Sequence, residues 1–194
     1  MQKDELKRQA KVIDMMLTMH SILASRYSKL SKLLELSMLA ISTILVALTF
    51  IDPRVLNYFN IETEIARIII GASAIIVFFL SIVSLIVDWK GKATQHREAF
   101  NTLIPLKTEW REVLAFFNEQ NDRSRADFAR KSALILGNLI AIPDSKFNAL
   151  KARHYHKIML SKLISNHPGS SVILLRLCIW GRCNWKVLKT TPEG

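Results

Sequence analysis

Residues 33–51, LLELSMLAISTILVALTFI, and 65–87, IARIIIGASAIIVFFLSIVSLIV, constrain this chain more than anything else in it. A hydrocarbon layer about 30 Å thick is crossed by roughly 20 apolar residues in a helix. The first run carries no charge after Glu35, and the second carries only Arg67. Between them lies DPRVLNYFNIETE, residues 52–64. Its Asp52-Pro53 should end the first helix, because the residue before a proline avoids the helical region. The expected architecture is a two-helix transmembrane hairpin rather than a hairpin buried in a soluble core.

At 194 residues the chain has room for one domain, or for a membrane segment plus a small soluble piece. Half of it is apolar, which excludes disorder, and scarce Gly and Pro leave few loops, so helices should dominate. The expected fold class is an all-α membrane protein, with the hairpin continued by a cytoplasmic helical stalk or bundle. A net charge of +11 points to an anionic partner such as a membrane surface, nucleic acid or nucleotides. Two cysteines, Cys178 and Cys183, cannot make a disulfide framework. The opening MQKDELKRQAKVID is charged and amphipathic and does not read as a signal peptide.

Basic residues set the orientation. Of 27 Lys and Arg, seven fall in residues 1–35 and eighteen in 88–194, leaving Arg67 and, in the loop, Arg54 beside Asp52, Glu62 and Glu64. Both termini should therefore be cytoplasmic and the acidic loop outside. Tyr58 and Trp89 fall where aromatic rings favour the two interfaces.

The soluble parts carry helical seams. Leu6, Ala10, Ile13, Leu17, His20, Ala24 and Tyr27 follow at spacings of four and three, as do His96, Ala99, Leu103, Leu106, Trp110, Val113 and Phe117. One runs towards the membrane and the other away, so they can pair antiparallel. Pro105 should bend the second near Ile104. His20 and His96, one per seam, are a candidate pH-sensitive or ligand-contacting pair, although two partly buried histidines satisfied by local hydrogen bonds account for them better. ADFARKSALILGNLIA (126–141) reads as a further helix, and KFNALKARHYHKIMLSKLIS as another, capped by Asp144 or Ser145 and ended by His167-Pro168-Gly169. The apolar run in the tail, Val172–Trp180, is too short to span. A strand, a helix lying on the membrane and a packed cover all fit it.

No catalytic constellation emerges. His154 and His156 point to opposite sides of a helix, and no Gly-rich phosphate loop, nucleophile elbow or carboxylate cluster is present. Neither an enzyme nor a cofactor is expected. Lys146, Lys151, Arg153, His154, Lys157 and Lys162 are the best candidates for an anion-binding surface facing nucleotide, nucleic acid or lipid phosphates, a solvated helix face being the alternative.

The layout of residues 1–165 (charged helix, hairpin, return helix opening on His96-Arg97-Glu98-Ala99-Phe100, then IPDSKFNALKARHYHKIMLSKL) resembles SLATT-type proteins. These are bacterial two-transmembrane effectors encoded beside nucleotide-signalling enzymes or reverse transcriptases in antiphage operons. The likeness is of layout, without a sharp motif, and residues 166–194 have no counterpart in it. It implies an inner-membrane effector that self-associates and permeabilises the membrane when its operon-encoded sensor detects infection. A pore needs a face that tolerates water or close helix contact. On the second span Arg67, Gly71, Ala74, Phe78, Ser81 and Asp88, with Ser84 at the margin, share one side; Ser37, Ala40, Thr43 and Ala47 share one on the first.

Overall fold

A computed structural model describes residues 3–50, 63–117 and 122–190, all in helices and the short connections between them, with no strand among the described residues. The elements are α1 (Lys3–Thr49), α2 (Thr63–Val87), α3 (Trp89–Ala115), α4 (Asp122–Gly137), α5 (Asp144–Asn166) and α6 (Val172–Thr190). The expected stop at Asp52-Pro53 and the interfacial Tyr58 lie outside the described residues.

The expected amphipathic segment 1–32 and first span 33–51 form one helix of 47 residues, about 70 Å long at 1.5 Å per residue. Nothing between Lys3 and Thr49 breaks it, since that stretch holds neither Pro nor Gly. The second span and return helix are divided at a single residue. Asp88 takes a left-handed φ of 43°, its N–H donates to the Ser84 carbonyl and its own carbonyl accepts from Lys92. Its Oδ1 accepts the Gly91 N–H at 2.9 Å, which caps the first turn of α3. α3 then runs through Pro105 without ending.

Two expectations are revised. α4 starts four residues earlier than read, because the polar residues from Asp122 are good first-turn residues, and it ends at Gly137 rather than 141. Neither Asp144 nor Ser145 caps α5. Pro143 occupies the cap position at φ −58° and ψ 129° with no side-chain cap, and its carbonyl accepts from Lys146. Asp144 instead falls in the first turn, where its charge complements the helix dipole. The tail that sequence left open is helix α6.

The chain divides into two compact units, residues 21–101 and residues 1–20 with 102–194. The first is the hairpin unit. Half-buried positions recur at Leu34, Met38, Ile41, Leu45 and Leu48 on α1, and at Ile70, Ser73, Val77, Leu80, Ser84 and Val87 on α2. These spacings of three and four are the seam through which the legs meet. Outside the seam the legs are bare: Leu36, Leu39, Ile75, Phe78, Leu85 and Ile86 are all more than half exposed. Below the apolar stretch the Tyr27 and His96 rings stack 5.7 Å apart, and Leu23, Ala24 and Ala99 are buried.

The second unit buries Leu6, Ile13, Leu17, Met19 and His20 of α1 with Leu103, Leu106, Trp110 and Val113 of α3. Both seams read from spacing thus supply core residues, with Ala10, Tyr27 and Phe117 only half-buried. Met19, one step off the first seam, is fully buried as well, because α1 is gripped by α5 as well as α3 here: Thr18 of α1 contacts His154 of α5. Trp110 meets Phe128 of α4 edge-on at 4.7 Å, and Lys131 reaches Glu109 at 2.7 Å. Lys107 pairs with Asp14, and Ile179 of α6 is buried where that helix packs on α5.

Candidate functional site

Two features carry the candidate chemistry, one in each unit. In the hairpin unit, two helices are long and apolar enough to cross a membrane. Their best 18-residue windows have mean hydropathy of 1.7 and 2.7, and neither window is buried. Three hydroxyls of the α1 leg are satisfied within the helix, whereas Ser42 makes no side-chain hydrogen bond among the described residues. Ser37 donates to the Leu34 carbonyl, Thr43 to Leu39 and Thr49 to Leu45, each at 2.8 Å. Backbone acceptors so used let hydroxyls sit in an apolar medium at little cost.

The α2 leg differs. Gly71, Ala74, Phe78 and Ser81 are exposed, one position off the seam that meets α1. A methyl group added at Gly71 would touch nothing within 4 Å, so the hairpin itself does not require glycine there. Ser81 and Ser84 make no side-chain hydrogen bond among the described residues. Arg67, at the outer end of the stripe, is exposed and pairs with Glu64 one turn earlier at 3.4 Å. At the other end Ser81, Ser84 and Asp88 line a cavity of about 580 Å³ with Ser31, Glu35 and Lys90. The sequence-derived face therefore divides into an open small-residue stripe and a polar vestibule at the foot of the hairpin. Glu35, which was read only as the boundary of the first span, lines that vestibule and accepts from Ser31 at 2.9 Å.

In the other unit a cleft of about 830 Å³ lies among α1, α3 and α5. Arg8, Lys11, Lys107, Arg111 and Lys162 line it against one acid, Asp14, and its wall includes Ile13, Trp110, Ile158 and Met159. Of the expected anion-binding string, only His154 and Lys162 reach this cleft. Lys151, Arg153 and Lys157 are exposed elsewhere on α5, and Lys146 is half-buried. Lys146, Arg153 and Lys157 lie about 60–100° round the helix from His154, on the side away from Lys162. The cleft's other cations come from α1 and α3, separated from α5 by tens of residues, so no local string could reveal them.

His154 is buried, and its Nδ1 lies 3.0 Å from the Thr18 hydroxyl. That hydroxyl already donates to the Asp14 carbonyl, so it accepts from His154 Nδ1–H and leaves Nε2 as the acceptor. Desolvation, aided by the nearby Lys157 and Lys107 and opposed by Asp14, holds the imidazole below its ordinary pKa. Of the expected histidine pair, His20 is buried in this unit, and His96 is stacked on Tyr27 in the hairpin unit. Trp110 is buried too, and its indole N–H has no hydrogen-bond partner among the described residues. No group of three His, Cys, Asp or Glu residues able to hold a metal occurs among the described residues.

No protein-family model, curated protein or solved structure matches the chain.

Proposed function

We propose that the chain is a membrane-disrupting effector, a bacterial inner-membrane protein with both termini cytoplasmic that self-associates through α2 to make the bilayer leaky. The observation that carries this reading is the stripe on α2. Its small residues are exposed although α1 is packed alongside, and the Ser81 hydroxyl has no hydrogen-bond partner among the described residues. In hydrocarbon an unsatisfied polar group is costly, and small residues let membrane helices approach closely. A second copy of α2, or water held between copies, relieves both. The resemblance to SLATT-type proteins supplies the setting: an antiphage operon whose nucleotide-signalling enzyme or reverse transcriptase, with its nucleic acid, triggers assembly.

The cationic cleft favours a second reading, a non-conducting adaptor that docks an anionic nucleotide, nucleic acid or protein at the membrane. One experiment separates the two. Induced cells should admit a membrane-impermeant dye, and Ala74→Leu with Ser81→Leu should abolish the influx while the protein stays in the alkali-resistant membrane fraction. Influx unchanged in the double variant removes this face as the working one, and no influx from the parent chain leaves the adaptor.

A further inference from the structure

α6 exposes an apolar surface that α5 does not cover. Ile173, Leu174, Leu177, Trp180 and Trp185 are between 59% and 71% exposed, whereas Ile179 is buried on the opposite side. At 100° per residue the five exposed side chains occupy an arc of about 140°. Arg176 lies just beyond one edge of that arc, and Arg182 lies beyond the other. α6 contains no Asp or Glu. An apolar arc bordered by cations, with two tryptophans in it, matches the chemistry of an interface between hydrocarbon and anionic headgroups. A water-facing role leaves the two tryptophans unexplained. A partner helix would bring the flanking arginines into use only if it were acidic.

We propose that α6 is an interfacial helix that lies on an anionic lipid surface. Ile173, Leu174, Leu177, Trp180 and Trp185 enter the headgroup–acyl boundary, and Arg176 and Arg182 reach lipid phosphates on either side. The proposal rests on this face alone and does not require the hairpin to conduct.

The native thiols supply a probe. Cys178 and Cys183 are both exposed, and Cys178 borders the apolar arc beside Trp185. The full chain carrying Cys183→Ser is labelled at Cys178 with an environment-sensitive fluorophore and placed in vesicles containing quencher-bearing lipid. Strong quenching is expected with about 30% anionic lipid, falling several-fold in zwitterionic vesicles or high salt. Arg176→Gln with Arg182→Gln should shift the bound–detached equilibrium about 30-fold, since each cation near such a surface is worth about a factor of five. Trp180→Ser with Trp185→Ser should remove the quenching with helical circular dichroism unchanged. Equal quenching in anionic and zwitterionic vesicles overturns the proposal. Cross-linking of Cys178 between copies, with the label shielded from lipid, also overturns it and assigns the face to a second chain. A chain that alkali releases but anionic vesicles still quench would sink the hairpin reading and leave this one standing.

Discussion

His154 joins three elements through one imidazole. It sits on α5, binds Thr18 of α1 and borders the cleft that Lys107 of α3 enters. Because burial disfavours its charged form, the unfolded chain takes up a proton that the folded chain resists. Stability is therefore lost as pH falls from the ordinary value of 6.5 towards the lowered one. Glu5 behaves differently. Hydrogen bonds from Arg8 and Gln9 hold its pKa below 4.5, so its contribution fades only in stronger acid. The loss from His154 therefore comes at higher pH than the loss from Glu5. The unfolding midpoint of the detergent-solubilised chain should fall as pH drops from about 7 to about 5. In His154→Asn, whose amide can still donate to Thr18, the fall should be shallower. An equal slope in both proteins would remove His154 as the source.

Among the elements, the join between α2 and α3 depends on two side chains that are nearly in contact. A Cβ on Gly91 would overlap the Asp88 carboxylate, so any larger residue there displaces the cap. Gly91→Ala should cost about 1 kcal/mol, the usual worth of an N-cap bond. In an Asp88→Gly background, which keeps the left-handed backbone accessible and removes the carboxylate, the same substitution should cost almost nothing. Thermal unfolding of the four proteins closes the cycle; equal costs in both backgrounds would contradict the clash. Much of the element order was legible in the sequence, because the apolar runs and seam spacings are periodic and long. Leu6, Ile13, Leu17, Leu103, Leu106 and Trp110 are core for the reason their spacing suggested. The Asp88 break escaped notice because it turns on a backbone angle and a three-residue side-chain reach. The helicity of 172–190 is not legible in the sequence either, since its apolar positions suit a strand or a helix equally over a short run. Least legible was the cleft, whose cations lie on three helices and meet only through tertiary packing.

Among the described residues, the two long apolar legs occupy residues 33–49 and 65–87, and the basic cleft lies in the other compact unit. On the account proposed here the first part acts on the bilayer by assembling, so its effect must depend on crowding in the membrane. A monomeric hairpin presents one α2 stripe to lipid, and only paired or higher assemblies enclose Gly71, Ala74 and Ser81. Release of a trapped fluorophore from vesicles, measured as the full-length chain is reconstituted at rising protein-to-lipid ratio, tests this most directly. Leakage should climb more steeply than in proportion to protein and vanish in Ala74→Leu with Ser81→Leu, with alkali-resistant incorporation equal in both. A fully incorporated parent chain that leaves vesicles sealed at every ratio would contradict the account.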